Sequence, residues 1–220
     1  MSPELLAHLR EGLILYIILA ASIALHEYGH AQAADLLGDF LPRRQGRVSL
    51  NPLVHLDPIG TVAIPLAMIL LNPGFSVIGW GKPVQISLPN PKTRVRDEII
   101  ITLAGPFMNV LIATGAAVGY GLLAHISPDR ADIIRPLVMT VIVVNSMLIA
   151  FNLIPLPPLD GSRIMRHIVG MSQETFVRIS AHSWWVLLIL VNLGPCQAIL
   201  GHMALDISMP FVTLADLIAR

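Results

Sequence analysis

The sequence predicts an all-α polytopic membrane protein, with about five transmembrane helices, a re-entrant segment and a short strand and loop region. Three observations predict it. Of the 220 residues, 55% are hydrophobic and 13% charged, and mean hydropathy is +0.72, far from the soluble average. The apolar residues gather in long runs, of which Gly12 to Leu25 carries no charge at all. Between these runs, proline, glycine and charged residues fall together in short stretches, as loops outside a bilayer do. Formal net charge is zero and the basic residues are scattered, so no nucleic-acid partner is expected. Cys196 is the single cysteine, which rules out an intramolecular disulfide and a cysteine-based zinc cage.

The first helix is placed at about Glu11 to Leu37, ended by Gly38. It is read as a retained helix, because no small-residue cleavage pattern follows it. Asp39 to Asp57 is polar and turn-rich. Pro58 to Leu71 is apolar, contains Pro65, and falls short of the roughly 20 residues a crossing needs. Asn72 to Pro91 holds seven glycine and proline residues and includes the extended-looking Lys82 to Ser87, so 58–97 is expected to be re-entrant and then strand and loop. Helices at about Asp97 to Ala124 and Ala131 to Leu153 should form an antiparallel hairpin around the polar turn His125 to Arg130. That hairpin region, 97–161, ends in the proline-rich Pro155 to Gly161. A partly amphipathic stretch leads to Ser180, and two apolar segments, about Ala181 to Leu193 and Ala198 to Ile218, complete a single domain over 1–220.

Within the first helix stands His26-Glu-Tyr-Gly-His30. Residues four apart on a helix sit about 40° apart around its axis, so both imidazoles can reach one ion, with Glu27 beside them. This is the arrangement of zinc hydrolases in which the glutamate is the general base. Counted from Gly12, His26 lies roughly 20 Å into a hydrocarbon layer of about 30 Å. Ionisable groups at that depth are expensive to insert and mark functional sites. A catalytic zinc takes a third protein ligand. Asp160 is the best candidate, because prolines unwind the chain before it and Gly161 permits a tight turn. The alternative reading of Asp160 is an ordinary helix cap before Gly-Ser-Arg.

With these residues in view, the chain resembles the site-2 protease family of intramembrane zinc metallopeptidases, in its compact bacterial-type form. The resemblance rests on His26 to His30, Asn51-Pro-Leu-Val-His-Leu-Asp-Pro-Ile-Gly60, Gly79-Trp-Gly-Lys-Pro-Val84, Ala104-Gly-Pro-Phe-Met-Asn109 and the Asn152 to Gly161 segment. It implies one zinc per chain held by His26, His30 and Asp160, Glu27 as base and proton carrier, and Asn152 close to the metal. Asn152 then reads either as a donor to the oxyanion or as a helix–helix hydrogen bond. Asn109 reads as packing or capping, and His55 as a loop hydrogen bond. From Pro83 the sequence reads Pro-Val-Gln-Ile-Ser, where the family commonly continues Pro-Val-Pro-Val-Asn. The resemblance further implies a transmembrane protein substrate, which must unwind before attack and can pair with the extended Lys82 to Ser87. Recruitment then rests on the lipid-embedded region itself or on a separate regulatory membrane partner.

If Asp160 and the histidines share a metal, the end of the first helix and the end of the Ala131 to Leu153 helix must face one side. A full crossing by Pro58 to Leu71 would put Asp160 on the wrong side, so that segment is expected to re-enter. Charge agrees. Arg43, Arg44, Arg47, Lys82 and the basic residues of 92–96 and 163–178 then share one side, against Arg10, Arg130 and Arg135, which makes the first side cytoplasmic. The expected place is a bacterial inner membrane, with the site opening toward the cytoplasm. Two other classes compete. A metal or proton transporter would need ionisable residues spread across the bilayer, and the long helices hold almost none beyond their ends. A non-catalytic binding protein on a protease scaffold would not need Glu27.

Overall fold

The computed structural model describes residues 2–71 and 79–220. They fall into two units, Met1–Ser87 and Leu88–Arg220. Among the described residues the elements are helical and five helices are long and apolar enough to cross a membrane, the architecture of an all-α polytopic membrane protein.

In the first unit, α1 runs Pro3–Leu36 and starts well before Glu11. Ser2 accepts a hydrogen bond from the Leu5 N–H at 3.2 Å and Pro3 occupies the first turn, where its missing N–H costs nothing. At 34 residues the helix is about 51 Å long, so its polar first turns extend past a hydrocarbon layer of about 30 Å. Gly38 ends it at φ +87°, and the Asp39 N–H reaches back to the Ala34 carbonyl at 2.9 Å, a closure that glycine adopts without steric cost. Arg43, in the short α2 (Leu41–Arg44), donates to both oxygens of Asp35 at 2.6 and 2.5 Å.

A single 3-10 turn, Pro52–Val54, precedes a π-helical turn over Pro58–Ala63, whose start is capped by Asp57 accepting from Ile59 and Gly60 at 3.0 and 2.7 Å. It continues as α3, Ile64–Leu71. The change of winding falls at Pro65, whose nitrogen has no hydrogen to donate to the ladder. The two turns together rise only about 21 Å, short of a crossing. The flanks of the segment meet: Leu56 bridges Gly81 in antiparallel fashion, and the Lys82 N–H donates to the His55 carbonyl at 2.8 Å. A full crossing ending at Leu71 would carry that end about 30 Å from the Leu56 flank, whereas the chain is back beside Leu56 by Gly81. Near its far end His8 Nε2 donates to the Ile69 carbonyl at 3.0 Å.

The strand expected over 82–87 does not form; among the described residues the one bridge, at Gly81, lies just before it. Pro83 offers no N–H, and Ser87 donates its N–H and hydroxyl to Asp39 at 2.5 and 2.6 Å. The 72–78 part of the expected strand and loop region lies outside the described residues.

In the second unit, α4 (Arg94–Ile126) and α5 (Pro128–Asn152) are joined through Ser127 as the predicted hairpin, and α8 (Gly194–Ala219) packs on both. Ala117, Tyr120, Ala131, Ile142 and Ala215 form the core. Gly121 lets α4 and α8 close up, since a Cβ there would lie 2.7 Å from the Ala215 carbonyl oxygen, the small-residue approach common between membrane helices. Asn109 sits inside α4 and donates to Asn145 of α5 at 2.9 Å, both side chains fully buried, so it is a helix–helix hydrogen bond. Between α5 and α8 lie α6 (Asp160–Ile168) and α7 (Gln173–Asn192). The latter starts earlier than Ala181 because Ser172 caps it, accepting from the Thr175 N–H at 3.2 Å. Leu193 alone separates it from α8.

Candidate metal centre

In the first unit the helical pitch puts His26 and His30 on one face of α1. Their Nε2 atoms lie 3.1 Å apart, the rings meet edge to face at 84°, and both side chains are buried. Two nitrogens on a tetrahedral zinc at 2.0–2.1 Å would stand about 3.3 Å apart. The pair therefore already has the spacing of two ligands to one small cation, and imidazole is a donor that suits zinc.

Glu27 is half-buried beside them and rests on the backbone of Gly81: a Cβ added at Gly81 would come within 2.9 Å of Glu27 Cγ and 3.2 Å of its Oε1. Tyr28 donates to Gln32 at 3.0 Å and meets the His55 ring edge-on at 6.5 Å. His55 is buried, and its Nε2–H donates to the Ser49 carbonyl at 2.8 Å, which makes it the loop hydrogen bond expected. Burial is the main reason its pKa falls below the ordinary imidazole value; the Ser49 carbonyl pulls it up, Arg47 down and Glu27 up.

In the second unit, α5 ends at Asn152, whose Nδ2 donates to the Leu148 carbonyl at 3.0 Å. One of the two amide hydrogens is thus engaged in its own helix. The turn that follows is tight: Leu156 N–H donates to Ile154 at 2.8 Å and Leu159 N–H to Leu156 at 2.9 Å. Leu159 takes the extended cap position and Asp160, half-buried, is the first residue of α6. Gly161 packs directly on the preceding turn, since a Cβ there would lie 2.2 Å from the Leu153 carbonyl oxygen. The glycine is needed for close approach of backbone to backbone.

Two arrangements were not foreseen from sequence. Arg47 is buried and donates to the carbonyls of Val54 and Lys82. Glu98 is buried against Arg166 at 2.5 Å and His167 at 3.0 Å, with Arg163 at 3.8 Å. Neither carries a local signal, because the partners lie far along the chain.

Residues 123–193, which include Asn152 and Asp160, match the model of peptidase family M50. YwhC of Bacillus subtilis, provisionally named a zinc metalloprotease, is 34% identical over 162 residues, 70% of this chain and 68% of that protein. The chain belongs to peptidase family M50. The resemblance to the site-2 proteases is thereby borne out, and this M50 member is an integral membrane protein. Rip2 of Mycolicibacterium smegmatis, also provisionally named a zinc metalloprotease, is 28% identical over 178 residues, 78% of this chain and 63% of its own length. The zinc metalloprotease MJ0392 of Methanocaldococcus jannaschii is 30% identical over 160 residues, 71% of this chain but only 34% of its own length. The chain thus spans about two thirds of the first two relatives and about a third of the last. No solved structure matches it significantly.

Proposed function

We propose that this M50 member is an intramembrane zinc endopeptidase that cleaves transmembrane segments of membrane-anchored proteins, its two units working as one protease domain. The observation that carries the reading is the His26–His30 nitrogen pair, 3.1 Å apart and buried in a helix long and apolar enough to span a membrane, with Glu27 adjoining. In this reading His26, His30 and Asp160 hold one zinc per chain. Bound there, zinc supplies a Lewis acid that acidifies water and polarises the scissile carbonyl.

Glu27 takes the proton of the attacking water on a carboxylate oxygen and returns it to the departing amine nitrogen. Asn152, with one amide hydrogen still available beyond its bond to Leu148, donates to the oxyanion that develops on the carbonyl, a contribution of a few kcal/mol in comparable sites. The substrate helix must open first, because its amides are already hydrogen-bonded. On the topology expected from the sequence, Arg43, Lys82 and Arg163 would share a side, which supports a site opening toward the cytoplasm of a bacterial inner membrane. The bilayer-embedded region and a separate regulatory membrane partner are both means of recruiting the substrate.

The decisive experiment counts zinc per chain in detergent-purified wild type, Asp160→Ala and Glu27→Gln. It also follows cleavage of reconstituted single-span helices interrupted at their centres by helix-breaking residues. One zinc in wild type and Glu27→Gln, a large loss in Asp160→Ala, and cleavage by wild type alone are expected. Full zinc in Asp160→Ala would remove the third ligand, and turnover by Glu27→Gln would remove the base.

A further inference from the structure

Arg47 lies in the polar stretch after α1, yet it is only 4% exposed. Its Nη1 donates to the Val54 carbonyl and its Nη2 to the Lys82 carbonyl. Those carbonyls belong to the strands of chain that lead into and out of the re-entrant segment, so one planar fork closes the segment at its base. Lysine has no such fork. The same point is tied by three more bonds: Lys82 N–H to His55 at 2.8 Å, Trp80 N–H to Gly60 at 3.2 Å, and Thr61 hydroxyl to the Trp80 carbonyl at 2.6 Å. Every one of these holds the backbone of 80–82 in place.

What that backbone touches is the catalytic helix. A Cβ on Gly81 would lie 2.8 Å from Ile23 Cγ2 and 2.9 Å from Glu27 Cγ, closer than packed side chains tolerate. Gly81 is therefore the surface on which the Glu27 side chain rests. Burial draws the Arg47 pKa down and the Glu27 carboxylate draws it back up, so the two charges lie within electrostatic reach.

We propose that Arg47 and Gly81 are positioning residues for Glu27: Arg47 fixes the height of the 80–82 backbone, and Gly81 at that height fixes where the Glu27 carboxylate stands. The inference rests on the reading of Glu27 as the base. It differs from a merely structural role in what should change. A misplacement of about 1 Å at a reacting group costs on the order of a hundredfold in rate, whereas zinc held by other residues should stay.

The test uses full-length wild type, Arg47→Met, Arg47→Lys, Gly81→Ala and Glu27→Gln, reconstituted with the same interrupted single-span helices. Four quantities are read: kcat, KM, zinc per chain, and amide hydrogen exchange at 79–83 with and without zinc. Arg47→Met should raise exchange at 79–83 and lower kcat about a hundredfold with KM and zinc unchanged. Arg47→Lys should fall between, since an ammonium can reach a carbonyl without the fork. Gly81→Ala should lower kcat with Arg47 still in place, and it decides the matter if Arg47→Met fails to fold. Unchanged exchange at 79–83 in Arg47→Lys and Arg47→Met, wild-type kcat in Gly81→Ala, or zinc loss in step with kcat would each overturn the inference. Turnover by Glu27→Gln would instead overturn the reading beneath it, leaving the exchange result to stand for the clamp alone.

Discussion

If Asp160 is a metal ligand as proposed, Gly161→Ala is the smallest change that should disable it. The added methyl would lie 2.2 Å from the Leu153 carbonyl oxygen, 2.5 Å from its carbon and 2.7 Å from the Ile154 oxygen. All three are backbone atoms, so no side chain can swing away. Relief to ordinary contact needs a shift of roughly 1 Å between the start of α6 and the turn it sits on. A shift of that kind costs about 1–3 kcal/mol in folded stability. Its effect on the site is larger in proportion. Metal–ligand distances tolerate about 0.2 Å, and Asp160 is the residue immediately before the displaced one, so zinc affinity should drop about ten- to hundredfold. Competition with a chelator reads the affinity, and thermal unfolding in detergent reads the stability. Gly115→Ala is the control: it is exposed on α4, a Cβ there meets nothing within 4 Å, and helix propensity favours the change by about 0.5–1 kcal/mol. Wild-type zinc affinity in Gly161→Ala would refute the claim that the Leu153–Gly161 contact sets Asp160.

Three further outcomes are expected. Glu98→Ala should lower stability by about 3–5 kcal/mol, seen as an earlier thermal transition, because Arg166 is 6% exposed and would be left charged and unpaired. Asp39→Asn replaces an acceptor that takes both hydrogens of Ser87 at 2.5 and 2.6 Å. It should cost about 1–3 kcal/mol and expose the 82–90 segment to limited proteolysis; unchanged cleavage would count against that tether. His55 titrates with its folded pKa depressed, chiefly by burial, so the unfolded chain takes up a proton that the folded chain refuses. Its contribution to stability is complete above about pH 6.5 and shrinks as pH falls below that value. His55→Gln should flatten this acid-side decline in thermal unfolding between pH 8 and 5.5.

The parts of the fold that are legible in the sequence are those set by local geometry. His26 and His30 share a face because four residues are close to one helical turn, and the 3.1 Å between their nitrogens follows from that spacing. The short apolar run Pro58–Leu71 was also within reach, since its length and the distribution of charge both disfavour a crossing; α3 ends at Leu71 and Gly81 bridges back to Leu56. Helix starts were not, because polar first turns at Pro3 and Gln173 look like loop until Ser2 and Ser172 are seen capping them. The expected strand failed where Pro83 withheld a donor and Asp39 claimed Ser87. Arg47 and Glu98 were invisible for a different reason: their partners stand 35 residues away at Lys82 and 68 away at Arg166, and no periodicity encodes such a pairing.

That division has a physical cause. Between helices in lipid there is little hydrophobic gain from contact, since the tails are as apolar as leucine, so pattern alone cannot say where each helix stops and what its ends touch. The few charged residues do that work. Asp35 with Arg43 ties the end of α1, Arg47 joins the carbonyls of Val54 and Lys82 on either side of the Pro58–Leu71 segment, and Glu98 with Arg166 fastens α6 to α4. Each stands at a helix end or in a connecting turn, beside a backbone that carries a candidate functional side chain: α1 carries His26 to His30, 80–82 supports Glu27, and α6 begins with Asp160. If these pairings locate the chemistry, their removal should alter zinc affinity or turnover while the apolar interiors of α4, α5 and α8 stay as they are, and a core substitution such as Ile142→Val, at 0% exposure, should cost about 0.5–1.5 kcal/mol of stability with zinc affinity untouched.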